Sequence, residues 1–337
     1  MIHQVLILSN RFYPFLHAIM ACMERKILIT GGTGFIGRVL ARHLVEAGHA
    51  VRLLIRPSKQ TPELPRGVPV EVAVSSLTDE RGLRSAMVGI DAVYHLAGGE
   101  WKGARGDLMA VDIQGTQAVS QAAAAAKVER FFYLSHLGAD RASAFPVLKA
   151  KAIAEEHIRR SGVDFTILRS AVVYGLGDYF TTGLARLLHA FPFAFFVPED
   201  GRVLIQPLWV EDLVTCMVWA LDDEQTRGQL YSIGGPEYLT FNQVLTTVME
   251  AISVRRIPVH VSPPYLRGLT VTLEGMFPGL PISVYWLDYL AVNRTCPLDT
   301  IPRTFNLMPA RFNQHLDHLR GQNWRRALWR GLGRKRR

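Results

Sequence analysis

The sequence predicts an α/β fold organised as a doubly wound parallel sheet, and three observations lead to it. An apolar, β-prone run at residues 27–30 passes through a glycine cluster into a helical pattern over 35–47. Strand and helix patterns then alternate at the spacing of βαβ units. After Ser170 that rhythm breaks into aromatic and proline-rich stretches such as "HAFPFAFFVPEDG", where a smaller C-terminal substrate-side region is expected.

Taken in order, "ILIT" reads as a buried first strand. Further strands are expected at 50–55, 68–74, 92–96, 130–135 and 165–169. Helices are expected at 79–88, 108–127 and 147–161 between them. In "TGGTGFIG" the residues Gly31, Gly34 and Gly37 fall at G-x-x-G-x-x-G spacing. The first allows a sharp turn, the second removes the side chain that would block a pyrophosphate, and the third lets helix and strand pack closely. The following helix N-terminus meets the anion with unpaired N–H groups and a partial positive charge.

The chain has 337 residues, 49% hydrophobic and 20% charged, a globular balance whose length allows roughly two domains. Cys22, Cys216 and Cys296 have neither disulfide nor metal spacing, which points to a reduced, cytoplasmic protein without a metal site. Residues 1–23 lack a basic n-region and are broken by Asn10, Arg11 and Pro14, so they read as a leader outside the fold rather than a signal peptide. The remaining organisation expected is a dinucleotide-binding core over 24–170, a substrate-side region over 171–310 interleaved with late elements of the core, and a basic tail over 311–337.

Six segments, "TGGTGFIG", "GIDAVYHLAG", "DIQGTQAVSQAA", "FFYLSHLGAD", "KAKAIAEEHIRRSGVDFTILRSAVVYGLGD" and "QPLWVEDLV", follow one another as in the short-chain dehydrogenase/reductase superfamily. The chain resembles its atypical, epimerase/dehydratase-like branch, near the nucleotide-binding accessory subunit of respiratory complex I and bacterial relatives. The resemblance spans about residues 24–252 and implies a Rossmann fold that binds NAD or NADP. It places Gly31, Thr33, Gly34, Phe35, Ile36 and Gly37 around the pyrophosphate, and Leu96, Ala97 and Gly98 along the adenosine side. NAD binders of this type carry an acidic residue near the end of the second strand, whereas here the strand ends "VRLLIRPSK" with Arg56 and Lys59. A guanidinium suits a 2′-phosphate, so NADP is expected in preference to NAD. Ser76 stands where relatives often carry an aspartate for the adenine amine.

Active members of the superfamily use a tyrosine as general acid/base, a lysine four residues later and a serine that polarises the substrate. The resemblance maps the serine to Ser135 and the lysine to Lys151, which would also bind the ribose. Val147 stands in the tyrosine's place, Phe145 has no hydroxyl, and Asp112 replaces the usual asparagine. Any substitute acid must come from elsewhere, and His136 and Tyr174 are the nearest candidates. Two functions are therefore open. One is an NADP-dependent oxidoreductase, epimerase or dehydratase on a small carbonyl or sugar-like substrate. The other is a non-catalytic NADPH-binding structural, assembly or redox-sensing protein that works through partners.

The tail carries nine Lys or Arg against Asp317, nearly all of the chain's net charge of +9. In it Trp324, Ala327, Leu328 and Leu332 share helical spacing beside Arg325, Arg326 and Arg330, which predicts a short amphipathic helix able to lie on an anionic membrane. Nothing in the chain resembles a nucleic-acid module, so no nucleic-acid partner is expected.

Overall fold

The computed structural model describes residues 24–58, 61–100, 106–276 and 281–333. The leader 1–23, Lys59 and the last four residues of the tail lie outside them. Seven strands form one parallel sheet: β1 (Lys26–Thr30), β2 (Ala50–Ile55), β3 (Glu71–Val74), β4 (Ala92–His95), β5 (Arg130–His136), β6 (Phe165–Ser170) and β7 (Gln229–Ile233). Their spatial order is β3-β2-β1-β4-β5-β6-β7, so the sheet reverses direction of winding between β1 and β4. Ligands of such sheets bind outside the carboxyl ends of the strands at that reversal.

The helices in chain order are α1 (Phe35–Glu46), α2 (Glu80–Ala86), α3 (Gly115–Ala125), α4 (Pro146–Ser161), α5 (Thr181–Ala190), α6 (Val210–Trp219), α7 (Phe241–Ala251), α8 (Pro263–Met276), α9 (Val284–Tyr289), α10 (Thr300–Phe305) and α11 (Trp324–Gly333). Alternation along β1 feeds two layers. Ile27 and Ile29 pack with Leu40 and Leu44 of α1 and Leu213 and Met217 of α6, whereas Leu28 packs with Leu83 of α2, Val119 of α3 and Ile158 of α4. A second core is built from α5, α7 and α9 together with Phe312, Leu316 and Trp324.

Local chemistry sets the element ends. β3 begins at Glu71 rather than at 68, because Pro69 has no N–H for the ladder. Asp79 caps α2 by accepting from the N–H groups of Arg81 and Gly82, Pro146 opens α4, and Gly162 closes it at φ +77°. The helix expected over 108–127 divides into a π-helical turn, Met109–Gln114, followed by α3. Such widened turns cluster at functional sites.

Two buried arginines, Arg130 and Arg294, tie distant elements together. Arg130 at the start of β5 is buried, stacks on Phe132 at 5.0 Å and donates to the carbonyls of Ala220, Leu221 and Asp223 and to the hydroxyls of Thr166 and Thr226, at 2.7–3.3 Å. Arg294 donates to the carbonyls of Leu137, Asp288 and Tyr289, which fastens the C-terminal region to the end of β5.

The tail helix folds back onto the protein. Trp324 and Leu328 are buried, Trp324 donates its indole N–H to the Leu319 carbonyl at 3.0 Å, and α11 packs on α5. Trp324 and Leu328 of the apolar stripe are thus covered by the protein itself, and Trp329, Arg325 and Arg326 remain exposed. Among the described residues no helix is long and apolar enough to cross a membrane.

Arg130→Met should lower unfolding free energy by about 3 kcal/mol, since it strands several buried carbonyls without a donor. A urea midpoint equal to that of the unmodified protein would contradict this account.

Candidate functional site

The glycine loop crosses the top of the sheet where it reverses. Gly31 holds φ +74°, and a Cβ on it would lie 2.8 Å from the Ala97 nitrogen and 2.9 Å from the Leu96 carbonyl oxygen. The loop is thereby pressed against the end of β4, which brings Leu96, Ala97 and Gly98 beside it. A Cβ on Gly37 would lie 2.4 Å from the Gly31 oxygen and 2.7 Å from the Gly32 Cα, so α1 can approach only with a glycine there. Gly34 differs: it is exposed, and among the described residues the Gly31 oxygen, at 3.1 Å, is the one neighbour of an added Cβ. Gly34 is also the N-cap of α1 and no side chain caps that helix, while Thr33, Phe35 and Ile36 line the turn half-buried or partly exposed. A cradle that only missing side chains keep open, at an uncapped helix N-terminus, fits a dinucleotide's pyrophosphate.

Beyond β4 a group of charges converges on Lys151, which is buried in the second turn of α4. Its Nζ lies 3.0 Å from Asp112 Oδ1 and 3.6 Å from Glu100 Oε2, and 5.5 Å from the centre of the Tyr133 ring. Burial opposes the charge on this ammonium, but Glu100, Tyr133 and Asp112 outweigh it and hold its pKa well above the usual lysine value. Asp112 sits in the π-helical turn and accepts from the Gly99 N–H at 2.9 Å. Burial raises its carboxyl pKa against the pull of Lys151. Glu100 folds back over Gly98, and burial notwithstanding, Lys151 and His136 hold its carboxyl well below the usual range. His136 Nε2 stands 3.6 Å from Glu100 Oε1, and the Tyr285 ring of α9 meets the His136 ring edge-on at 6.1 Å. Among the described residues, Glu100 Oε2 and the Tyr133 hydroxyl are buried without a hydrogen-bond partner, the state expected of groups awaiting a polar ligand.

The other sequence candidates take distinct places. Ser135 is buried and donates its hydroxyl to Glu155 at 2.6 Å, and Glu155 in turn receives a two-pronged contact from Arg169 at 2.7 and 2.9 Å. Val147 lies half-buried one turn before Lys151. Tyr174 is fully buried, donates to the Arg311 carbonyl at 3.3 Å and packs edge-on against Phe312 within the second core, apart from Lys151. Arg56 is exposed; the pairing of Leu54 with Thr30 sets it beside the glycine loop, two residues beyond the last paired rung. Ser76 binds Thr78 at 3.1 Å. A buried histidine behind the loop also stands out: His95 links Thr30 at 2.6 Å to Thr116 at 2.9 Å, and burial with the nearby Lys151 pushes its pKa down to about 3, so it is neutral. Sequence reasoning missed Glu100, signalled only by its place after "AGG", and Tyr285, which no local pattern marks.

The reversal of the sheet, the open glycine cradle and the buried lysine together define a nucleotide-binding Rossmann protein. Residues 31–178 match the family described as NAD(P)H-binding. A subunit of plant respiratory complex I, NADH dehydrogenase [ubiquinone] 1 alpha subcomplex subunit 9 of Arabidopsis thaliana, is 28% identical over 70% of this chain and 60% of its own length. A ceramide reductase of Caulobacter vibrioides is 31% identical over 57% of this chain and 59% of its own. The chain thus spans about 60% of the length of these relatives. Among solved structures, UDP-glucose 4-epimerase of Thermotoga maritima superposes with a TM-score of 0.67 at 20% identity, over 90% of this chain and 99% of the other. The chain is thus similar over residues 31–178 to the NAD(P)H-binding family and shares the fold of a solved epimerase.

Gly34→Val should weaken NAD(P)H binding at least 100-fold, because the new side chain projects into the cradle, while the thermal midpoint stays within a few degrees. Calorimetric titration giving unchanged affinity would remove the pyrophosphate from this loop.

Proposed function

We propose that the protein is an NADP(H)-dependent oxidoreductase of a small carbonyl or sugar-like compound in which His136 carries the proton that a tyrosine carries in relatives. The observation behind this reading is the convergence of Lys151, Asp112, Glu100 and His136 at the carboxyl ends of β4 and β5, beside the open glycine cradle. When bound, the dinucleotide supplies or accepts the hydride at the substrate carbon. Gly31, Gly34, Gly37 and the N-terminus of α1 hold the pyrophosphate, with Leu96, Ala97 and Gly98 along the adenosine side. Lys151, kept charged by its two carboxylates, offers N–H donors to ribose hydroxyls. His136 passes a proton to or from the substrate oxygen, and Glu100 orients the imidazole and balances its charge. Ser135 belongs to the support of this site rather than to substrate, since its hydroxyl is engaged by Glu155.

For the cofactor, the end of β2 offers the exposed Arg56 and no carboxylate, which favours a 2′-phosphate. Among the described residues Cys216 and Cys296 are buried and unpaired, which supports a reducing, cytoplasmic setting, and the exposed Arg325 and Arg326 give the tail a basic face for an anionic membrane. The second reading is a non-catalytic NADPH-binding protein that acts through partners. Val147 in the tyrosine's place favours it, as does the similarity to a complex I subunit.

Two measurements test the proposal. Arg56→Glu should weaken NADPH at least tenfold and NADH less than twofold; equal affinities for the two cofactors in the unmodified protein would refute the preference. His136→Gln should lower carbonyl-dependent NADPH oxidation about 100-fold with NADPH affinity unchanged. Equal turnover would take the proton away from His136, and no turnover of any carbonyl by the unmodified protein would favour the second reading.

A further inference from the structure

The substrate-side region contains a cavity of about 110 Å³ enclosed by α5, α8, α9 and the strand Ala194–Pro198. Among the described residues no charged side chain lines it; Phe180, Leu184, Phe195 and Trp286 are typical of its walls. The polar groups at its edge are Tyr179, Thr270 and Ser283, and Ser283 already accepts from the Tyr285 N–H as the cap of α9. Tyr179, Phe196 and Leu269 line the cavity and yet are 55%, 38% and 43% exposed, so it opens to the surface through an apolar mouth. A nucleoside diphosphate would find nothing there to balance its charge. Apolar cavities of this scale stay dry and take up hydrocarbon groups.

The cavity and the charged cluster are linked through neighbouring aromatic residues of α9. α9 presents Tyr285 to His136 on one side and Trp286 to the cavity on the other; their ring centres are 4.9 Å apart, and Phe180 closes on Trp286 at 5.2 Å. A molecule with an oxygen at His136 and a hydrocarbon tail would therefore lie along this aromatic row.

We infer that the substrate is an amphipathic carbonyl or alcohol compound whose aliphatic chain occupies this cavity, with the chain entering between Tyr179, Phe196 and Leu269. This rests on the oxidoreductase reading for the role of the head group, but the chain site itself is independent of turnover. Burial of each methylene should tighten binding about fourfold until the cavity is filled.

The test uses straight-chain 2-alkanones from four to ten carbons, titrated by calorimetry into the full chain with and without NADPH. Affinity is expected to rise with each methylene and then to level off. Gly183 lines the cavity, and among the described residues a Cβ on it would meet only Pro281, at an unstrained 3.7 Å. Gly183→Leu should therefore fill the cavity, move the plateau to shorter chains and leave NADPH affinity unchanged. Affinity independent of chain length in the unmodified protein overturns the inference, and so does an unaltered plateau in Gly183→Leu. If that variant fails to fold, Leu184→Ala, which enlarges the cavity, must move the plateau to longer chains, and an unmoved plateau overturns the inference. A chain-length series that holds in His136→Gln while turnover is lost separates the chain site from the chemistry. Chain binding without any NADPH binding would leave the cavity intact and sink the oxidoreductase reading alone.

Discussion

Everything at the candidate site depends on how closely two pieces of backbone approach each other. With 2.4 Å between the Gly31 oxygen and the place where a Gly37 side chain would begin, any side chain there would lever α1 away from the sheet. A second close approach, of Gly31 to Leu96 and Ala97, holds the loop against the end of β4 at the point where the sheet reverses. Binding capacity here comes from atoms left out. The stability that a side chain would contribute by packing is given up for access, in a loop whose φ of +74° at Gly31 already restricts it to glycine.

A second constraint is electrostatic. Lys151 and Asp112 are both buried, and sealing an isolated charge at that depth would cost several kcal/mol. The ion pair and the Gly99 N–H offset the cost only when the π-helical turn, the loop after β4 and the second turn of α4 are all in register. The cluster therefore reports on three elements at once, and this makes it a positional lock. The neutral His95 chain behind it and the Ser135–Glu155–Arg169 chain beside it extend that polar framework into the sheet, each with its groups satisfied.

The sheet was legible because its code is local. Alternation such as Ile27, Leu28, Ile29 and the punctuation by Asp79, Pro146 and Gly162 fix elements within a few residues of themselves. The glycine loop was legible for the same reason. The charged cluster was only half legible: Lys151 and Asp112 carry a family position, but Glu100 joins them through a loop conformation that no periodicity encodes. Tyr285 lies about 150 residues from His136 in the chain, and the meeting of the two follows from how α9 docks, which rests on Arg294 and its carbonyl cage. The tail shows a limit of another kind. An amphipathic pattern states that an apolar face will be covered, and Trp324 and Leu328 are covered by α5 rather than by lipid. Periodicity says that a partner exists and is silent about which one.

The position of β7 has a consequence for the history of each molecule. Its pairing with β6 joins Thr166 to Gln229, and the intervening chain must already have left the sheet to build α5 and α6. During synthesis β6 consequently stands as an open parallel edge, carrying Ile167 and Leu168, until some sixty further residues have emerged, roughly three to twelve seconds at ordinary translation rates. An uncovered strand of that kind can recruit a neighbouring nascent chain. The order of elements along this sequence therefore sets a window in which a chaperone, or slow crowding of ribosomes, decides whether the chain closes on itself or on another copy.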